Sequence, residues 1–372
     1  MLVDEEVKMP STDTIVQENL SEDQVDDTSL IEDAEVGSPV RYVISSYGAD
    51  YPVDSLVKRV SRKDIYVPEF QRGFVWTHAQ ASRFIESLLL GLPVPGIFLF
   101  KEPDTQKLVV VDGQQRLRTL EMFYDGIIRG REFALRGVCA EMEDLTYRKL
   151  SEEDRRRLDD AILHATIFQQ EDPGQDRSSI YLIFERLNTG GTPLAPQEIR
   201  SCVYRGELNE MLKNLANHPK WHDIYGTPSP RGKDQELILR FFALHYNSHN
   251  YQRPMKAFLN DFMDANRNPA PPKLAEMEKL FGTVATLAAD NLTRSAFRPE
   301  RNLNAAVVDA FFVALARRLV HGPIKEPSLL KQAADTVVDD SEFIDAVMSG
   351  TTDLNAISRR LRVATAAFAG VP

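Results

Sequence analysis

The sequence has little cysteine, few histidines and no long apolar run. Cys139 and Cys202 are the only cysteines in 372 residues, too few for a disulfide framework or a cysteine-lined metal cage. That usage suits a reducing cytoplasm. No stretch approaches the roughly 20 apolar residues that span a bilayer. The acidic N-terminus also lacks the basic start of a signal peptide, so a soluble cytoplasmic protein is expected. The seven histidines include two pairs spaced four apart, His218 with His222 and His245 with His249. Neither pair has a cysteine beside it or a glutamate in the zinc-protease arrangement, and Pro219 interrupts the first, so no metal role is expected of them. Also missing are a Walker-type glycine run ending in Lys-Ser/Thr and a dinucleotide Gly-x-Gly-x-x-Gly. Any nucleotide must be held by another scheme.

An overall basic excess is absent as well, but the net charge of −11 is unevenly placed. The first forty residues carry twelve acids against one base, Lys8, and the remainder holds 43 of each sign. The bulk of the chain is therefore neutral, and local basic patches are open to it. Residues 1–40, highly charged and poor in aromatics, are expected to stay disordered. They would serve as a solvating leader, or as an acidic segment competing with phosphates for a basic cleft. At 43% hydrophobic, the rest can build two cored domains, expected at 41–205 and 206–372.

The informative stretch is Val109-Val110-Val111-Asp112-Gly113-Gln114-Gln115-Arg116-Leu117. Three β-branched residues in a row favour a strand covered on both faces. Leu117, Leu120, Phe123 and Tyr124 then recur at helical spacing, and Gly126 stands at the helix C-cap position. The chain thus turns from buried strand straight into helix, and the helix start gathers Asp112, Gln114, Gln115 and Arg116. Such a terminus suits phosphate through its backbone N–H groups and dipole. A plain structural reading also stands: Asp112 as N-cap, and Asp112 with Arg116 as a helical ion pair.

Around this turn the pattern predicts a small mixed α+β layer. Short strands are expected at 41–46, 65–67, 97–100, 108–111 and 162–168, the third and fourth forming a hairpin. Helices are expected at 52–60, after the N-cap candidate Thr77, around the Arg155-Arg156-Arg157 trio behind Ser151, and at 180–187. Pro196 opens another near its first turn. The loop Glu69-Phe70-Gln71-Arg72-Gly73-Phe74-Val75-Trp76 mixes large aromatics with an amide and a guanidinium, where loops ordinarily use small polar residues. From about residue 206 amphipathic helical patterns separated by proline-rich joints dominate, and nothing there reads as a cofactor box. The fold class expected is α+β, with an all-helical C-terminal domain.

Four motifs in order carry a family resemblance: residues 67–76, Ser87 to Pro95 with its Leu-Leu-Leu-Gly-Leu-Pro core, 111–117, and Phe184-Glu185-Arg186-Leu187-Asn188-Thr189-Gly190-Gly191. Together they resemble the N-terminal domain of GmrSD-type restriction enzymes, over roughly residues 41 to 205. The resemblance implies a ParB-like fold whose Asp-Gly-Gln-Gln-Arg motif binds and hydrolyses a nucleoside triphosphate in defence against foreign DNA, as in the related SspE-type proteins. Studied relatives add an HNH nuclease domain; His218-Pro219 and His222-Asp223 do not reproduce one, so a stand-alone member is expected.

The resemblance also implies roles. Asp112 would hold Mg²⁺ against phosphate oxygens or orient a water, and Gln114 or Gln115 would aim that water through an amide. Arg116 and Arg72 would neutralise the transferring phosphoryl group, with Gln71 beside them. Gly113 would admit the phosphates to the backbone, and Arg186, Asn188 and Thr189 would close the pocket. The expected function is a Mg²⁺-dependent, NTP-hydrolysing component of a bacterial anti-phage or restriction system. It would act on or sense DNA with a partner nuclease, the nucleotide's base being unselected and a homo-oligomer compatible. Two alternatives stand beside it: a DNA- or protein-binding adaptor gripping a backbone through Arg72, Arg83, Arg116 and Arg118, and a ParB-like nickase.

Overall fold

The computed structural model describes residues 43–68, 73–102, 105–172, 178–187 and 194–372, together with the short strand Val25–Asp26. The rest of the acidic leader, the loop residues 69–72 and the 188–193 segment lie outside the described residues, so the disorder expected of 1–40 and the roles given to Gln71, Arg72, Asn188 and Thr189 do too. The strands are β1 (Val25–Asp26), β2 (Val43–Pro52), β3 (Ile65–Tyr66), β4 (Ile97–Lys101), β5 (Leu108–Asp112), β6 (Ile127–Ile128), β7 (Arg131–Glu132), β8 (Ile162–Asp172) and β9 (Leu303–Asn304). In the first half the helices are α1 (Val53–Ser61), α2 (His78–Leu89), α3 (Gln114–Asp125), α4 (Glu152–Asp160), α5 (Ser178–Leu187) and α6 (Pro196–Val203). Beyond them come α7 (Glu207–Ala216), α8 (Pro219–Tyr225), α9 (Lys233–Asn247), α10 (Met255–Ala265), α11 (Pro271–Asn291), α12 (Ala305–Leu319), α13 (Leu329–Val338), α14 (Ser341–Met348) and α15 (Leu354–Ala369).

A five-stranded mixed sheet, in the order β2-β8-β4-β5-β3, forms the centre of the first half. β4 and β5 are the expected hairpin, antiparallel; β8 runs parallel to β4, and β2 antiparallel to β8 along its whole length. The alternation of side chains gives each face its own core. On one face Leu99, Val110, Leu163, Ala165 and Ile167 meet Ile85, Leu88, Leu117, Leu120 and Phe123 of α2 and α3. On the other, Phe100, Val109, Val111 and Phe168 pack with Tyr181, Phe184 and the apolar faces of the C-terminal helices. Covering both faces explains the unbroken apolar run Leu108 to Val111, since a half-exposed strand would alternate with polar residues. The second core also runs continuously across residue 206.

Local signals placed most helix ends. Thr77 and Gln80 form a reciprocal capping box at α2, Ser151 caps α4 by accepting from Asp154 N–H at 3.0 Å, and Pro196 takes the first turn of α6. Two strands run longer than their patterns: β2 reaches Pro52 and β8 reaches Asp172, because each supplies the other's backbone partners. α9 and α12 are buried nearly all round, not amphipathic, and their interior charges are matched. The Asp309 carboxylate accepts from Arg240 at 2.7 Å and from Arg360 at 3.0 Å, all three within the core. A buried charge survives only with such pairing.

Candidate functional site

The Asp-Gly-Gln-Gln-Arg turn forms where β5 ends. The ladder slips by one residue there, Phe98 facing Asp112 while Leu99 faces Val110. Cross-strand partners share a face, so this bulge turns Asp112 toward the side of Phe98. The N-cap of α3 is Gly113 and not Asp112 as the plain reading had it. Its φ of +99° is left-handed, and a Cβ there would fall on the Ile97 side chain, 2.8 Å from the Ile97 Cβ. Only glycine meets both demands. A cap without a side chain leaves the first turn's donors to another partner.

Arg116, one helical turn on, reaches back to this bend. Its Nη2 donates to Asp112 Oδ2 at 2.7 Å and to the Gly96 carbonyl at 2.9 Å. The Asp112 side chain is 42% exposed against 15% for Arg116. The helical ion pair of the plain reading is therefore present, and the carboxylate it fixes still faces solvent. Among the described residues the buried Arg116 Nε has no hydrogen-bond partner, a cost that folds usually avoid away from functional positions. Among the described residues no group of three or more His, Cys, Asp or Glu could hold a metal ion. A single half-exposed carboxylate fits the way Mg²⁺ is commonly held, by one protein oxygen plus water and substrate phosphates.

The neighbouring amides are engaged. Gln115 Oε1 accepts from Val75 N–H at 3.0 Å and Trp76 N–H at 3.3 Å, and Gln115 Nε2 donates to the Gly73 carbonyl at 3.3 Å. Gln115 thus clamps the end of the aromatic loop onto α3. Trp76 continues into the core edge-on to Phe84, ring centroids 5.7 Å apart. Gln114 is buried beside it, with bonds of its own. Arg186 is exposed in the last turn of α5, which packs over β5.

Of the arginines proposed to grip a DNA backbone, Arg72 lies outside the described residues and each of the other three has its own place. Arg116 is tied to Asp112 and Gly96, Arg83 donates to the Gly137 carbonyl at 3.4 Å, and Arg118 lines a groove beside the edge strand β3.

One feature at the turn was not expected from sequence. His164 lies near the start of β8, beside the start of β4 and thus at the same sheet end as Asp112. Its Nδ1 pairs with Asp50 Oδ1 of β2 at 2.8 Å, and both side chains are exposed. Gly48 makes room for the ring: a Cβ there would lie 2.8 Å from His164 Cε1. Asp50 and His164 are register partners across β2 and β8, a pairing separated by more than a hundred residues that no local pattern announces. Two strand spacings of about 4.8 Å and two residues of strand rise separate His164 from Asp112, about 12 Å between backbones, with Asp50 one strand further away.

A sheet end bearing a turn of this kind defines a class before any comparison is made: a mixed α+β domain with a polar, glycine-opened strand-to-helix bend. Residues 53–205 match the family model of the GmrSD restriction endonuclease, N-terminal domain. That segment belongs to this domain family, which places the chain among restriction- and defence-related proteins. No curated protein matches the chain. No helix among the described residues is long and apolar enough to cross a membrane.

Proposed function

We propose that the chain binds a nucleoside triphosphate at the Asp112–Arg116 turn and hydrolyses it with Mg²⁺, as the nucleotide-dependent component of a restriction-type defence system that acts on DNA with a partner nuclease. The observation that supports this reading is the half-exposed Asp112 carboxylate, fixed by Arg116 at 2.7 Å, at an N-cap that only glycine can occupy. Bound Mg²⁺ would neutralise phosphate charge and raise the electrophilicity of the phosphorus. The protein's own groups do the rest. Asp112 would hold the cation and the first N–H groups of α3 would face the phosphate oxygens, while Arg116 holds the carboxylate in place.

In this reading His164 is the general base. Asp50 holds Nδ1 and so fixes the tautomer, leaving Nε2 to take a proton from the attacking water. The roughly 12 Å between His164 and Asp112 leaves room for a triphosphate and one water. Gln115 positions the aromatic loop that borders the turn.

The experiment is thermal stabilisation by a panel of nucleoside triphosphates with Mg²⁺, because a ligand bound only by the native state raises its melting temperature. At least one triphosphate should raise Tm in the wild type and fail to do so in Arg116→Ala. A panel without any shift at millimolar concentration would refute nucleotide binding.

A further inference from the structure

At the β3 edge of the sheet, next to β5 but toward its start, lies a groove that the Asp112 turn does not use. It has a volume of about 570 Å³ and is formed by the α1–β3 connection, edge strand β3, the start of β5, the outer flank of α3 and the chain after α6. That is within the few hundred to a thousand Å³ typical of small-ligand sites. From its Lys107 end to Asp112 is the length of β5, about 15 Å at strand rise.

The charges around this groove are unevenly matched. Glu102 is consumed: Tyr66 Oη donates to its Oε1 at 2.6 Å and Thr105 Oγ1 to its Oε2 at 2.5 Å. Arg205 donates to the same tyrosine hydroxyl and lies over its ring, 4.9 Å from the centroid. Burial, followed by the bond to Glu102, raises the Tyr66 pKa, so the hydroxyl stays a donor. Lys63, Lys107 and Arg118 remain, and none of the three makes an ion pair among the described residues. Elsewhere on the same domain, exposed bases pair along their helices, as Lys58 does with Asp54 and Arg157 with Glu153. Arg118 acts on the charge of Glu121 three residues on, while Lys63 and Lys107 have no acidic partner among the described residues, and this local excess of cations raises the potential of the cavity and favours an anion there. Glu121, on the same flank, has no hydrogen-bond partner among the described residues. Burial first, then Asp125, raises its pKa. Beside the cations it offers an acceptor for a hydroxyl.

We propose that this groove is a second ligand site, taking a phosphorylated sugar or nucleotide, with the phosphate on Lys63, Lys107 and Arg118 and a sugar hydroxyl on Glu121. It does not depend on the reading of the Asp112 turn. The test is calorimetric titration of the full chain with ribose 5-phosphate, with inorganic phosphate and ribose as partial probes. Measurements on Asp112→Ala exclude the first site. Ribose 5-phosphate should bind the wild type and Asp112→Ala alike, and binding should weaken at least tenfold in the double variant Lys107→Ala/Arg118→Ala. Both replaced side chains line the open groove, and an unchanged melting curve would show that the variant folds. Glu121→Gln should weaken ribose 5-phosphate while leaving phosphate unchanged. The proposal is overturned if the folded wild type binds none of the phosphate probes, if binding survives in the double variant, or if it is lost in Asp112→Ala instead.

Discussion

Replacing Gln115 by alanine separates two roles for one amide. The structure gives it three contacts to the 73–76 backbone, one at 3.0 Å and two at 3.3 Å. A neutral hydrogen bond contributes about 0.5–1.5 kcal/mol net. The two longer ones lie past the usual N–H···O range, and Val75 is exposed, so water replaces part of the loss. The sum for Gln115→Ala is then about 1–2 kcal/mol, or a Tm fall of about 2–6 °C for a domain of this size. Hydrogen exchange followed by mass spectrometry should show faster exchange at the Val75 and Trp76 amides. Gln115→Glu keeps the acceptor and loses only the donation to Gly73, so it should retain most of the protection. Unchanged exchange at residues 75 and 76 in Gln115→Ala would refute the clamp, and a fall in turnover alongside it would return the amide to the chemistry.

Other perturbations follow from the same geometry. Gly113→Ala meets left-handed strain of about 1–3 kcal/mol and overpacking against Ile97 of about 1–3 kcal/mol; denaturant unfolding should show the sum, and adding Ile97→Ala should recover only the part due to the Ile97 Cγ2 contact, because the Cβ at 2.8 Å stays. The partly buried His245 has its pKa pushed down to about 4, by burial first and then by Arg317. Its unfolded form takes up a proton near pH 6.5, before the folded form does. Stability is therefore full above pH 6.5 and falls between 6.5 and 4, by about 2 kcal/mol once solvent screening is allowed for. Tm measured across that range should drop less in His245→Gln than in the wild type. Asp309→Asn leaves Arg240 and Arg360 without their shared counter-charge in the core. Urea unfolding should show a loss of about 3–5 kcal/mol.

Local chemistry made much of the fold legible. The Val109-Val110-Val111 run, the Leu117–Leu120–Phe123 stripe, the Thr77 capping box and Pro196 each act over a few residues, and each sits where its pattern placed it. Strand order did not show, because the β2–β8 pairing joins Asp50 to His164 and is fixed by the closing of the whole sheet. That same distance hid the His164–Asp50 dyad. The turn was visible as a motif, but its N-cap was not: Asp112 is a good cap by composition, and the close packing of Ile97 under Gly113 decides otherwise. Arg240 and Arg360 lie in stretches read only as amphipathic helices, and their convergence on Asp309, far apart in sequence, places them in the interior.

The measurement closest to the central claim is phosphate release from nucleoside triphosphates by the full chain with Mg²⁺, comparing wild type with Asp112→Asn, a near-isosteric change at a half-exposed side chain. Turnover in the wild type and its loss by at least a hundredfold in a folded Asp112→Asn chain is the predicted outcome. Equal release from both proteins, or none from the wild type with any triphosphate, would contradict it.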